Sequence, residues 1–199
     1  GAGNDSLNSD TTDVAYGGEG ADTITYGNDD LGTVYGDGGE DIINATGAGS
    51  AAVATFASIY GGDGNDSIYA ADGQVIAYGG AGNDLIYGAT ATSDILYGDD
   101  GQDTLYGIVD STAADLDTIY GGSGNDVIYA STFGGTVFGG DGADTIYGGT
   151  SDALNTAGTN TEVLSGGEGA DEFSFLSRNV FSATQANINT GTFTTIADF

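Results

Sequence analysis

Apolar residues in this chain come in short bursts, each flanked by polar or aromatic positions and separated by glycine-rich breaks. After most breaks comes an x-apolar-x triplet: Ser67-Ile68-Tyr69, Leu85-Ile86-Tyr87, Val127-Ile128-Tyr129 and Thr145-Ile146-Tyr147. Before the next break comes a second burst, as in Asp94-Ile95-Leu96-Tyr97, Thr118-Ile119-Tyr120 and Thr136-Val137-Phe138. Alternation with period two is the mark of half-buried strands. It points Ile59, Leu96, Ile119, Ile68, Ile86 and Leu105 inward. The tyrosines beside them then face outward. Tyr35, Tyr60, Tyr78, Tyr97 and Tyr120 precede a glycine-rich break, and Tyr69, Tyr87, Tyr106, Tyr129 and Tyr147 end the other strand. A ladder of rings on each of two sheets is the expectation.

The breaks are themselves a repeat. Gly-Gly-x-Gly-x-Asp occurs at 17–22, 61–66, 79–84, 121–126, 139–144 and 166–171. Copies at 36–41 and 98–103 carry Asp37 and Asp99 in place of the second glycine, and a shortened copy occupies 1–5. The closing aspartates are spaced by 17, 19, 25, 18, 19, 23, 18 and 27 residues. A base period near 18, with insertions in three units, reads as turn, strand, turn, strand: one coil of a solenoid. The predicted fold is all-β, a right-handed parallel β-roll of about nine coils over residues 1–174, followed by a capping segment at 175–199.

Composition sharpens this picture. Leu, Ile, Val and Phe make up 40 of 199 residues, and the formal net charge is -29. That places the chain at the border where apolar burial alone cannot fold it. Cys, His, Lys, Met, Trp and Pro are absent, and Arg178 is the one basic residue. Serine or cysteine nucleophiles paired with histidine, and ordinary zinc or copper sites, are excluded. So are nucleic-acid binding and attachment to anionic membranes, which need basic patches. No apolar run is long enough to span a bilayer.

What remains is carboxylate chemistry. A six-residue loop that reverses the chain needs glycine's freedom at positive φ. Its aspartate then supplies an anionic oxygen and its carbonyls neutral ones, the donor set a hard cation such as calcium takes. Coils stack at about 4.8 Å. Two carboxylates ~5 Å apart at an effective dielectric of ~20 repel by roughly 3 kcal/mol, so the row calls for cations between its members. The candidate metal residues are Asp5, Asp22, Asp41, Asp66, Asp84, Asp103, Asp126, Asp144 and Asp171. With them go the turn glycines Gly18, Gly20, Gly62, Gly64, Gly80, Gly82, Gly122, Gly124, Gly140, Gly142, Gly167 and Gly169.

The pattern Gly-Gly-x-Gly-x-Asp-x-apolar-x resembles the RTX, or haemolysin-type, calcium-binding nonapeptide repeat. The resemblance implies a calcium-loaded β-roll, type I export and folding outside the cell. Residues 166–175 followed by Thr195-Ile196-Ala197-Asp198-Phe199 resemble the segment that caps the roll in serralysin-like secreted proteins. With more chain usually following that Asp-Phe, and with the first repeat shortened, the sequence reads as a slice of a longer polypeptide.

Copies here recur every 18 residues rather than every nine, so one edge of the roll is regular. The three insertions fall in the other turn, which predicts one calcium row and a looser, largely metal-free edge. Nine turns leave eight gaps, hence about eight Ca²⁺ ions at one per gap, cancelling about 16 negative charges. Affinity is expected in the extracellular range, about 10⁻⁴ to 10⁻³ M. Asp29, Asp30, Asp72 and Asp110 are candidates for an ion on the irregular edge, the plainer reading being solvated loop acids. Asp37 and Asp99 are expected to keep their turns, since Asp tolerates a left-handed backbone.

Two biological classes fit. One is a secreted structural or assembly module: a surface layer, extracellular filament or adhesin, with self-assembly or a surface polysaccharide as partner. The other is the C-terminal secretion and folding domain of a larger secreted hydrolase or toxin. Catalysis within the chain is not expected, because the repeat accounts for the acids, and Arg178 reads as a surface pairing residue. Ice binding lacks its threonine rank, because the third turn position reads Ala2, Glu19, Gly38, Asp63, Ala81, Asp100, Ser123, Asp141, Glu168.

Overall fold

A computed structural model describes residues 1–9, 14–26, 32–45, 57–70, 73–90, 93–107, 116–131, 135–149, 162–174 and 196–197. Asp29, Asp30, Asp72, Asp110 and Arg178 lie outside the described residues, as does nearly all of 175–199.

The described residues form two parallel sheets built from alternate strands of the chain. An eight-stranded sheet stacks Val14–Glu19, Thr33–Gly38, Ala57–Asp63, Val75–Ala81, Ile95–Asp100, Asp117–Ser123, Gly135–Asp141 and Glu162–Glu168 in that order. A ten-stranded sheet stacks Ser6–Ser9, Thr23–Tyr26, Ile42–Ala45, Ser67–Ala70, Leu85–Tyr87, Thr104–Tyr106, Val127–Tyr129, Thr145–Tyr147, Glu172–Ser174 and Ile196–Ala197. Each strand therefore pairs with the strand one coil away, and the all-β solenoid expected from the repeat is the observed architecture. Among the described residues no helix is long and apolar enough to cross a membrane.

Register aligns equivalent residues down the stack. Ile76, Ala77 and Tyr78 pair with Ile95, Leu96 and Tyr97, which pair in turn with Thr118, Ile119 and Tyr120. Each coil gives the interior at least one apolar side chain per sheet: Ile59 and Ile68, then Ala77 and Ile86, then Leu96 and Leu105, all at most 1% exposed. The resulting core is two side chains thick and runs the length of the roll. Tyr26 departs from the outward pattern; it is buried in register with Ala45 and Ala70.

The outward tyrosines form the two expected ladders. Tyr16, Tyr35, Tyr60, Tyr78, Tyr97, Tyr120 and Phe138 stack with centroids 4.8–5.1 Å apart. Tyr69, Tyr87, Tyr106, Tyr129 and Tyr147 do so at 4.4–5.4 Å on the other sheet. In the first ladder the rings from Tyr16 to Tyr120 tilt by only 1–8° per step. Sheets so little twisted are unusual and are held flat by side-chain ladders of this kind.

Candidate metal centre

The Gly-rich turns stack on one edge. Their second and fourth residues lie at positive φ, from 103° to 141° across the twelve candidate glycines. Side chains are excluded there by stacking as well as by backbone: a Cβ on Gly80 would strike the carbonyl of Gly62, and one on Gly82 that of Gly64. Asp37 and Asp99 keep their turns at φ 74° and 72°. The N–H of Gly82 donates to the carbonyl of Asp100 at 2.8 Å, tying each turn to the next.

The aspartates that close these turns form a continuous ladder. The N–H of each donates to Oδ1 of the next, at 2.6–3.1 Å from Asp5 through Asp171. Asp22, Asp41, Asp66, Asp84, Asp103, Asp126, Asp144 and Asp171 are 2% exposed or less. Every one of these eight keeps its Oδ2 buried with no hydrogen-bond partner. A buried charged oxygen without a partner is costly unless a cation meets it.

A second oxygen lies near seven of these Oδ2 atoms. The Cβ position of Gly17 lies 2.5 Å from Asp22 Oδ2 and 2.7 Å from the carbonyl oxygen of Gly36 in the next coil. The same pairing joins Asp41 to Gly61, Asp66 to Gly79, Asp84 to Gly98, Asp103 to Gly121, Asp126 to Gly139 and Asp144 to Gly166. The first glycine of each copy, which sequence reasoning left out of the site, therefore does two things. It leaves room beside the carboxylate, and its carbonyl faces the carboxylate of the preceding coil. Among the described residues no three acidic side chains gather, so an ion here takes its remaining oxygens from backbone carbonyls or water. An all-oxygen, one-carboxylate-per-turn donor set suits calcium.

Asp5, in the shortened first copy, is about half exposed. The remaining candidate aspartates share the buried geometry described above.

Electrostatics agree with the geometry. Burial pushes the carboxyls of Asp66, Asp126 and Asp144 up to about 6. It pushes those of Asp84 and Asp103 up to about 7, and Asp41 rises as well. The backbone N–H of the preceding aspartate opposes this, and the neighbouring carboxylates reinforce it.

The opposite edge carries more order at Asp94 and Asp117 than the sequence suggested. Asp94 and Asp117 are 1% exposed there. Val75 N–H donates to Asp94 Oδ1 at 2.9 Å, and Asp94 N–H to Asp117 Oδ1 at 2.8 Å, repeating the ladder of the first edge. Here, however, Oδ2 is satisfied within the protein: Ala89 N–H donates to Asp94 and Ser131 Oγ–H to Asp117, both at 2.5 Å. Sequence reasoning missed these two residues although a signal was present. Asp94-Ile95-Leu96-Tyr97 and Asp117-Thr118-Ile119-Tyr120 share the Asp-x-apolar-Tyr order of Asp84-Leu85-Ile86-Tyr87.

A family model described as RTX calcium-binding nonapeptide repeat (4 copies) matches residues 1–30, 60–92, 89–107, 113–137 and 130–152. No curated protein and no solved structure matches the chain. The matched segments cover more than half of the sequence and contain six of the eight turns whose aspartates form the buried row. The chain belongs to the RTX calcium-binding nonapeptide repeat family.

Proposed function

We propose that this chain is a secreted structural module that folds when calcium fills one row of sites along the regular edge. The observation that carries this reading is the unbroken series of eight buried Oδ2 atoms without donors. In seven described gaps such an atom faces the carbonyl of the next coil's first glycine, close to the eight ions expected from the repeat. Bound calcium supplies positive charge between carboxylates that otherwise repel. The chain's own part is to hold each Oδ1 through a backbone N–H, keep Oδ2 dry and present carbonyls at the next level. With a core two side chains thick and 30 acidic residues, folding and metal binding are coupled as in other small-core metal domains.

The low calcium of a cytosol would leave such a chain unfolded and export-competent, and millimolar calcium outside would fold it, which supports an extracellular or cell-surface location. The absence of His, Cys and Lys from the sequence favours a structural role in a surface layer, filament or adhesin over catalysis. A second reading, the folding and secretion domain of a larger hydrolase or toxin, is favoured by the serralysin-like residues 166–175 and 195–199.

A calcium titration followed by far-ultraviolet circular dichroism, with magnesium as control, tests the coupling. The expected result is β signal that appears cooperatively with calcium, not with magnesium, and disappears on chelation. A chain fully folded in chelator would overturn it.

A further inference from the structure

An oxidant that meets this chain finds tyrosine and little else. Cysteine and methionine, the usual first targets, are absent, as are Trp and His. Eleven of the 12 tyrosines stand in the two ladders. The ladders are not equivalent. On the eight-stranded sheet neighbouring tyrosine rings are 4.8–4.9 Å apart. On the ten-stranded sheet Tyr87 and Tyr106 are 4.4 Å apart, Tyr106 and Tyr129 4.5 Å, and Tyr129 and Tyr147 4.6 Å, with tilts of 2°, 2° and 5°. The hydroxyls of Tyr87 and Tyr129 are hydrogen-bonded to that of Tyr106. Tyr69 stands off at 5.4 Å and 12°. Register carries the column on to Asn44 beyond Tyr69 and to Ser174 beyond Tyr147, side chains that do not take up an oxidising equivalent.

We propose that Tyr87, Tyr106, Tyr129 and Tyr147 form a site of oxidative coupling, where a peroxide-driven one-electron oxidant joins neighbouring rings by a carbon–carbon bond and locks adjacent coils of the folded roll. The oxidant takes one electron from each of two neighbouring phenols, and the two hydroxyl protons leave with them. Two phenoxyl radicals remain, their unpaired electrons residing partly on the ring carbons ortho to oxygen. Those electrons pair in a bond between Cε atoms. The two ring hydrogens displaced there move to the oxygens and restore both phenols. Per link, one hydrogen peroxide is reduced to two waters.

The fold supplies what this step needs. Parallel rings in register hold equivalent Cε atoms about as far apart as the ring centroids, so two radicals in one column meet without diffusing together. The hydrogen bonds through Tyr106 give the departing hydroxyl protons acceptors along the column. All four rings are part-exposed on the outer face of the sheet, within reach of an oxidant and free of the core when they tilt to bond. In the unfolded chain these tyrosines are 18 to 23 residues apart, and no such pairing exists.

The test is oxidation of the full chain, kept dilute, by a haem peroxidase with limiting hydrogen peroxide, in millimolar calcium and in chelator. The expected result is dityrosine fluorescence in calcium, from a product that runs as one chain on a denaturing gel and is lighter by two hydrogens per link. Cleavage before aspartate puts each of these tyrosines on its own peptide. The linked pairs should be Tyr87–Tyr106, Tyr106–Tyr129 and Tyr129–Tyr147. Tyr106→Phe, which keeps the stack, should abolish the first two and leave the third, whereas Tyr97→Phe, in the other ladder, should leave all three. Both variants should keep the calcium-induced dichroism of the wild type. The linked monomer should gain its β signal at lower calcium than the unlinked one, because a bond between coils restricts the unfolded chain as a disulfide does. Links spread evenly over both ladders, a Tyr106→Phe yield equal to that of the wild type, or a calcium midpoint unmoved by the links would each overturn the proposal. It rests on the calcium-folding reading above, yet the two fail separately. A chain already folded in chelator that couples equally there refutes that reading alone. A chain folded by calcium that forms no dityrosine refutes this proposal alone.

Discussion

The backbone N–H of Asp84 donates to Oδ1 of Asp103 at 2.8 Å, while Oδ2 of Asp103 is buried with no donor at all. One carboxylate thus has two separable roles: a fastening between coils and an open anionic site beside the Gly121 carbonyl.

Two substitutions split those roles. Asp103→Asn keeps the acceptor for Asp84 and places an amide N–H₂ beside the Gly121 carbonyl. It should lower calcium stoichiometry by one ion in titration calorimetry and raise the calcium midpoint of folding. Asp103→Ala should do the same and also leave the Asp84 N–H buried without an acceptor, a further loss of about 1–3 kcal/mol. Urea melts in saturating calcium would measure that difference; identical melts would refute the fastening role.

Proton and calcium should compete. Burial raises the folded-state carboxyls of Asp66, Asp126 and Asp144 to about 6 and those of Asp84 and Asp103 to about 7, from an ordinary value of 3.8. A raised folded-state value means the folded chain holds protons more tightly than the unfolded one. The stabilisation is complete below about 4 and is lost as pH rises through 6 to 7. In chelator, therefore, far-ultraviolet circular dichroism should show more residual β signal at pH 5 than at pH 7.5, where the chain is unfolded. In calcium, the midpoint concentration should climb as pH falls below about 6, because protons occupy the same oxygens.

Gly79 lacks a positive φ, so its requirement for glycine is purely spatial. A Cβ there would run into Asp84 Oδ2 and the Gly98 carbonyl. Gly79→Ala should remove one calcium from the bound count and destabilise by about 1–3 kcal/mol through overpacking. Gly73→Ala is the control. Its φ of 88° makes alanine strained, but no atom lies within 4 Å of the new Cβ. It should cost about 1 kcal/mol or more in strain and leave the calcium count unchanged.

Ser131→Ala probes the opposite edge. It removes the hydroxyl that donates to Asp117 Oδ2 at 2.5 Å, one of the donors that hold this buried carboxylate. A loss of about 1–3 kcal/mol is expected, with the calcium stoichiometry as in the wild type. Ions refined equally on both edges of a calcium-soaked crystal would contradict the one-row reading.

Much of the fold was legible because it is written locally. The Gly-Gly-x-Gly-x-Asp turn needs only six consecutive residues, and strand alternation needs neighbours, so the inward set from Ile59 to Leu105 and the outward tyrosines could be read directly. The variants at Asp37 and Asp99 followed from the backbone tolerance of aspartate. The Asp94 and Asp117 ladder escaped because its turns vary in length, which breaks the glycine spacing while keeping Asp-x-apolar-Tyr.

The sequence by itself determined the coil period, the residues that face the interior, the aspartates that share one edge and the family they belong to, because each depends on spacing within a single repeat. The tertiary structure decided which oxygen of each aspartate is left without a donor, that the first glycine's carbonyl confronts the carboxylate of the preceding coil, and that Ser131 closes the site at Asp117. Those relationships join residues 13 to 27 positions apart, brought to adjacent levels by coil stacking. Variable insertions hide that register from the linear chain.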